Sequence, residues 1–237
     1  MSRRPFLIVR CGTTKEAICR RHGDFADWIR AVAGWGEAGA PECAPYLGEA
    51  MPEAGAFAGA VLTGSPAMVT DREPWMLELE DWLRGAIAGG LPMLGICFGH
   101  QLLASALGGV VGDHPAGMEL GTVEVRLTPA AAADPLFGGL PAHFPVQATH
   151  LQTVLEAPPG AVVLARNDHE ACHAVRFADR VWGVQFHPEI DAAVMEGYSE
   201  CYRADAVAGR KRIAMLGEPT RESPDAAGLL KRFGVRH

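Results

Sequence analysis

The sequence predicts an α/β fold with a doubly wound, mostly parallel central sheet and an antiparallel edge, and three observations carry that prediction. Short apolar runs of strand length alternate along the chain with longer segments of helical spacing. Several of these runs, such as Phe6-Leu7-Ile8-Val9 and Leu91-Pro92-Met93-Leu94-Gly95-Ile96, are apolar throughout, as strands covered on both faces must be. Two later runs, Val162–Ala165 and His173–Phe177, follow each other without helical sequence between them, which predicts an antiparallel edge pair.

Taken in order, the first strand is predicted over Phe6–Arg10, directly after a short basic start, Met1-Ser2-Arg3-Arg4-Pro5. That start lacks the long apolar region and small-residue cleavage site of a signal peptide. Lys15–Val32 reads as a helix, and the Gly-, Ala-, Pro- and Glu-rich stretch Gly34–Gly59 holds a second strand near Pro41–Tyr46. Gly59-Ala60-Val61-Leu62 is the third strand. Glu73–Ala88 has a proline near its start and Trp75, Leu79, Trp82 and Leu83 at helical spacing, which predicts a core-facing helix. The strand ending at Ile96 leads into a helix through Gln101–Leu107 that Gly108-Gly109 stops. Val110-Val111 and Thr122–Leu127 are strands, the latter alternating and half exposed. After the edge pair, the run from Val181 is a last buried strand that ends in His187-Pro188-Glu189. From Ile190 to His237 the chain reads as a helix, a Gly-Glu-Pro and Ser-Pro turn region, and a closing helix over Ala226–Phe233. The expectation is one domain, with a core over about residues 5–195 and a C-terminal helical extension over about 196–237.

Composition excludes several classes of partner. A net charge of −7 lacks the basic footprint that phosphate binding needs, so no nucleic-acid partner is expected. Hydrophobic residues make up 49%, but they are split into segments too short to cross a bilayer, so no membrane partner is expected either. Six scattered cysteines, at 11, 19, 43, 97, 172 and 201, lack paired metal spacing and suit a reduced, cytoplasmic chain. Asp168-His169-Glu170 with Cys172-His173 is the one dense cluster of ligand types, and it reads as a polar turn between strands. No metal and no organic cofactor is expected.

Chemistry concentrates at two strand ends. In Gly95-Ile96-Cys97-Phe98-Gly99-His100-Gln101 a cysteine lies between glycines where a strand gives way to a helix. Glycines on either side suit a sharp turn in which bulkier neighbours would collide with the adjoining backbone, and the helix N-terminus favours a thiolate. Read alone, Cys97 is equally a cysteine packed between two close-fitting glycines. The second strand end is Val181-Trp182-Gly183-Val184-Gln185-Phe186-His187-Pro188-Glu189. Glu189 lies two residues beyond His187, so in extended backbone the carboxylate and the imidazole point to one side. A cysteine nucleophile, a histidine base and an orienting carboxylate form the logic of acyl transfer.

These paired motifs resemble the class I glutamine amidotransferases, the triad glutaminases, over roughly residues 5–195. The resemblance implies a flavodoxin-like three-layer αβα sandwich, with Cys97, His187 and Glu189 as the catalytic residues. It implies attack of Cys97 on the γ-amide carbon of glutamine, a γ-glutamyl thioester and release of ammonia. It places an oxyanion hole at the N–H groups of Gly64, in Val61-Leu62-Thr63-Gly64-Ser65-Pro66, and Phe98; Thr63 and Ser65-Pro66 depart from the family's Gly-Gly-Pro loop. It carries substrate-binding roles onto Gln101, onto Glu119 and Leu120 of the loop Gly117–Gly121, mostly through backbone, and onto His150. His150 follows Thr149 where many relatives have serine, and Gln152 stands in place of their acidic residue.

Within that resemblance three functions stay open. The chain is most similar to the glutaminase portion of GMP synthases but has no nucleotide-binding loop of a synthetase half. The first reading is therefore a glutaminase that hydrolyses glutamine or feeds ammonia to a separate synthetase subunit. The second is a γ-glutamyl peptidase or hydrolase acting on γ-glutamyl peptides or conjugates. The third is a regulatory module without catalysis, which would have no use for a full triad.

Overall fold

The structure is a computed structural model that describes residues 4–207, 213–217 and 219–236. Its first half builds a parallel sheet from β1 (Phe6–Val9), β2 (Glu42–Cys43), β3 (Gly59–Leu62) and β4 (Met93–Ile96). The intervening helices are α1 (Glu16–His22), α2 (Phe25–Ala33) and α3 (Pro74–Ala88), and α4 (Phe98–Ala106) follows β4. The second half comprises β5 (Val110–Asp113), β6 (Met118–Leu127), β7 (His143–His150), β8 (Gln152–Glu156), β9 (Val162–Arg166), β10 (Ala174–Ala178) and β11 (Val181–Val184), then α5 (Ala192–Val207), β12 (Ile213–Leu216) and α6 (Pro224–Arg236).

Strands β2, β1, β3, β4 and β11 lie side by side and all run parallel, the flavodoxin-like order. Beyond β11 the sheet turns antiparallel through β10, β9 and β6, with β7 and the parallel β12 both on β6. Alternation along β1 shows how the layers close. Phe6 and Ile8 pack with Ile29 of α2 and with Leu229 and Phe233 of α6 on one face. Leu7 and Val9 pack with Leu79 and Leu83 of α3 and Leu102 and Leu103 of α4 on the other. A third cluster, including Ile18, Trp28, Met118, Val194 and Tyr198, joins α1, α2, β6 and α5 beside the strand ends.

Four expectations need correction. The predicted helix over Lys15–Val32 is two helices, because Gly23 takes a left-handed φ of 82° and Asp24 starts α2 afresh. The Asp24 carboxylate accepts from Phe25 N–H, and Asp27 reaches back to Asp24 N–H, a capping arrangement worth about 1 kcal/mol. The segment Gly117–Gly121, read as a loop, contributes most of its residues to β6, which adds a buried half, Met118–Gly121, to the half-exposed run Thr122–Leu127. Val162–Ala165 and His173–Phe177 do pair antiparallel, but inside the sheet, because β6, β7 and β12 extend it further. Between the two C-terminal helices lies a strand, β12, and strands β7 and β8 also went unread. Glu218 of the expected Gly-Glu-Pro turn lies outside the described residues, as do residues 208–212 before β12.

Candidate active site

The sheet delivers three strand ends to one place: β3 ends before Thr63-Gly64, β4 before Cys97, and β11 before Gln185-Phe186-His187. Cys97 has φ 51° and ψ −101°, a left-handed backbone that side chains rarely adopt, and it caps α4 without using its own side chain. Flanking glycines make the bend possible. A Cβ on Gly95 would lie 2.5 Å from the Gly99 carbonyl oxygen, and one on Gly99 would lie 2.6 Å from Leu62 Cβ. Cys97 N–H is anchored on the Val184 carbonyl at 2.8 Å, which ties the elbow to β11. Phe98 begins the helix, so its N–H has no intrahelical acceptor and is available beside the sulfur.

His187 is buried, and its Nδ1 lies 2.7 Å from Glu189 Oε1. Burial alone would push its pKa down, but Glu189 first and the nearby Cys97 sulfur next raise it to about 10. At neutral pH the arrangement therefore favours an imidazolium at His187, beside the Cys97 sulfur. Phe25 stacks on the imidazole at 6.1 Å and helps hold its plane. His100, although near Cys97 in sequence, packs against Phe177 and is held neutral by burial and by His150 and His173, its pKa pushed down to about 3.

Gly64 lies against this pair, since a Cβ there would come within 2.9 Å of His187 Cε1 and 3.2 Å of Phe25. The departure at Thr63 now has a physical reason. Its hydroxyl accepts from Cys11 N–H at 2.9 Å and donates to Gly64 O at 2.8 Å, fixing the orientation of the peptide after Gly64.

Gln101 and His150 both border the cavity beside Cys97, together with Met118 and Gln152. Gln101 Nε2 donates to Gln152 O at 2.7 Å and to Gln185 Oε1 at 3.0 Å, and Gln185 Nε2 in turn points at the Cys97 sulfur at 3.6 Å. Sequence reasoning gave Gln185 no role. Its position two residues before His187, on the same side of an extended chain, was the available signal.

Glu119 and Leu120 are not brought to the cavity. Both are fully buried, and their backbone is committed on both edges, to His150 and Thr149 of β7 and to Met215 and Leu216 of β12. The Glu119 carboxylate instead collects His150 Nε2 at 2.9 Å, His173 Nε2 at 3.1 Å and Asn167 Nδ2 at 2.7 Å. Burial would raise its pKa, but His173 and His150 hold it well below the usual carboxylate range. The second nitrogen of His150 faces Gln152 O at 3.0 Å. With acceptors at both nitrogens the ring donates twice, as an imidazolium, and Glu119 raises its pKa against the opposing effect of burial.

Asp168–Glu170 form the expected polar turn, with Asn167 Oδ1 accepting from the N–H groups of His169 and Glu170. Among the described residues no group of three or more His, Cys, Asp or Glu side chains is placed to hold a metal ion, and no helix is long and apolar enough to cross a membrane. A larger cleft of about 400 Å³ lies at the opposite, amino-terminal ends of the strands between Arg4 and Arg180, away from this chemistry.

A parallel α/β sheet bearing a cysteine on a strained strand–helix turn, faced by a histidine–carboxylate pair from a neighbouring strand, defines the cysteine–histidine–carboxylate class of acyl-transfer sites. Within that class the chain belongs to the class I glutamine amidotransferase family, whose profile, described as glutamine amidotransferase class-I, matches residues 45–197. It is 42% identical over 144 residues to a glutamine-hydrolysing GMP synthase from Aeropyrum pernix, covering 61% of this chain and 26% of that protein. It is 33% identical over 150 residues to a γ-glutamyl-L-1-hydroxyisopropylamide hydrolase from a Pseudomonas species, covering 61% of this chain and 51% of that one. The chain thus spans about a quarter of the length of that synthase and about half that of the hydrolase. A crystal structure of a glutamine amidotransferase from Methylobacillus flagellatus shares the fold, with a TM-score of 0.76 at 24% identity over 98% of this chain and 92% of that one.

Proposed function

We propose that this chain hydrolyses the γ-amide of glutamine through a γ-glutamyl thioester on Cys97. The observation that carries the reading is the elbow itself: Cys97 at the N-terminus of α4, lining one cavity with a His187 whose Nδ1 lies 2.7 Å from Glu189. The thiolate attacks the amide carbon, and the carbonyl oxygen takes up negative charge against Phe98 N–H and Gly64 N–H. As the C–N bond breaks, imidazolium His187 gives its proton to the nitrogen and ammonia leaves. Neutral His187 then takes a proton from water, the hydroxide adds to the thioester, and the S–C bond breaks to release glutamate. Glu189 holds the ring in place through both steps, while Gln185, oriented by Gln101, donates to the sulfur. Ammonia is released to solution or passed to a separate synthetase subunit, which the similarity to GMP synthases supports.

The test is release of ammonia and glutamate from L-glutamine by the purified chain, with Cys97→Ser alongside. An alkoxide forms far less readily than a thiolate, so Cys97→Ser is expected to be inactive; full activity in that variant would remove Cys97 from the mechanism. A second reading, hydrolysis of γ-glutamyl conjugates by the same residues, is favoured by the similarity to the Pseudomonas hydrolase.

A further inference from the structure

Two hydrogen-bonding neighbours of the Cys97 sulfur favour opposite forms of it. A thiol can donate to Thr149 O, 3.9 Å away, whereas a thiolate has no hydrogen to give and meets that carbonyl as a second negative end. Gln185 Nε2, at 3.6 Å, presents a donor, which an anionic sulfur accepts better than a neutral one. Gln185 is fully buried and reaches the sulfur from a fixed base. Its own N–H is bonded to His173 O at 2.9 Å, and the carbonyl before it, Val184 O, anchors Cys97 N–H at 2.8 Å.

An amide has a donor end and an acceptor end, and the contacts behind Gln185 decide which end faces Cys97. Gln152 O is a carbonyl and can only accept. It takes Gln101 Nε2 at 2.7 Å and His150 Nδ1 at 3.0 Å, which fills both of its lone pairs. Gln101 must therefore turn its NH2 group to that side, and the second hydrogen of the same group goes to Gln185 Oε1 at 3.0 Å. With Oε1 so occupied, Gln185 has only Nε2 left for the sulfur. Were its amide turned over, two NH2 groups would face each other and an oxygen would face the sulfur. Gln101 sits one helical turn after Cys97, its N–H on Cys97 O at 3.1 Å, so the nucleophile and the side chain that orients Gln185 share one rigid element.

We infer that Gln185 is a further catalytic residue, whose Nε2–H holds the anionic sulfur before attack and again as the thioester breaks, and that Gln101 is a positioning residue acting through it. This rests on the thioester chemistry under Proposed function and gives Gln101 a role that needs no substrate. In acylation the Sγ–C bond forms and the C–N bond breaks, with the His187 proton going to nitrogen. In deacylation water gives a proton to His187 and hydroxide to the carbon, and the S–C bond breaks to return the thiolate. Gln185 exchanges no proton in either step; it stabilises the charge on sulfur at the start of the first and the end of the second.

The experiment measures iodoacetamide alkylation at Cys97, followed by peptide mass in the full chain without substrate at pH 7 and pH 9.5, together with kcat and KM for L-glutamine. The variants are Gln185→Met, Gln101→Met and the two combined, since methionine keeps the length of the side chain and removes its N–H. The titratable groups that interact with the sulfur, His187, His150 and Tyr198, stay in place in all three. In Gln185→Met, alkylation at pH 7 is expected to slow about tenfold, the lower end for a hydrogen bond to a charged group, and to come within about twofold of the parent at pH 9.5, where the thiol ionises without help. Its kcat should fall about tenfold with KM little changed, as for a group that touches sulfur rather than substrate. Gln101→Met should slow alkylation in the parent background and add nothing in Gln185→Met. Gln185→Asn, whose amide stops one methylene short of the sulfur, takes the place of Gln185→Met if thermal unfolding shows that variant has not folded. Parent rates in Gln185→Met, equal slowing at both pH values, or an undiminished effect of Gln101→Met in the Gln185→Met background would overturn the inference. If the alkylation pattern holds while the parent neither hydrolyses glutamine nor takes γ-glutamyl mass on Cys97, the thioester reading falls and the catalytic role with it, and the amide relay to the sulfur stands.

Discussion

Gly95→Ala separates the elbow from ordinary glycine turns. The added Cβ would lie 2.5 Å from Gly99 O and 2.7 Å from His100 N, both backbone atoms at the start of α4. Ordinary contact begins at 3.4 Å, so the helix must withdraw from β4 by about 0.9 Å. Overpacking of this kind costs about 1–3 kcal/mol, or roughly 2–12 °C in Tm for a chain of this size. The same movement carries Cys97 away from His187, and a displacement of about 1 Å at reacting groups costs about 100-fold in rate. The assay pairs thermal unfolding with the rate of iodoacetamide alkylation of Cys97 and with glutamine turnover. Gly85→Ala is the control: it lies inside α3 with nothing within 4 Å of its would-be Cβ, and it should gain about 0.5–1 kcal/mol. If Gly95→Ala melted with the parent chain and kept its alkylation rate, the steric account of the elbow would be refuted.

Glu189→Gln removes the charge that raises His187 to about 10, so the thiolate–imidazolium pair should weaken; alkylation of Cys97 at pH 7 is expected to slow and kcat to fall by about 10²–10⁴-fold, read from a pH series. Because His187 titrates higher folded than its ordinary 6.5, its contribution to stability is complete below pH 6.5 and is lost as pH rises towards 10; chemical denaturation at pH 7 and 10 should show the decline in the parent and less of it in Glu189→Gln. Glu119→Gln strips the anion from His150 and His173 and is expected to cost about 3–5 kcal/mol by denaturant titration; the Glu119 contribution is present above the usual carboxylate pKa and lost as pH falls through its lower folded value, so the variant should lose less stability on acidification than the parent. Thr63→Val leaves Cys11 N–H and Gly64 O without their partner, at about 1–3 kcal/mol each by denaturant titration.

Most of the parallel half was legible because β1, β3, β4 and β11 are buried on both faces and read as apolar runs. Cys97, His187 and Glu189 were legible because their geometry follows from local spacing: two residues apart on an extended strand, or one residue before a helix. What escaped the sequence depends on distant partners. Only Thr122–Leu127 of β6 alternates, while Met118–Leu120 lies between two glycines and was read as a loop by resemblance, so the pairing of Glu119 and Leu120 with β7 and β12 went unseen. The partner of Glu119 is His150, 31 positions away, and no local pattern announces a buried pair at that separation. The split of α1 from α2 was written in Gly23-Asp24, a stop followed by a cap, and helical propensity on either side masked it. Tyr198 and Tyr202 fall in a segment that reads as a plain surface helix until α5 is seen packed against α1.

The hydrogen bond between Thr14 and Tyr198 joins positions 184 residues apart. During synthesis on the ribosome, the elements carrying Cys97, Gly64, His187 and Glu189 are all made before Tyr198. The Tyr198 and Tyr202 wall of the cavity that His187 lines is therefore added after every reacting group. A nascent chain stopped after Glu189 has every reacting group but leaves the cavity beside His187 open, and α5 closes it before β12 and α6 complete the fold.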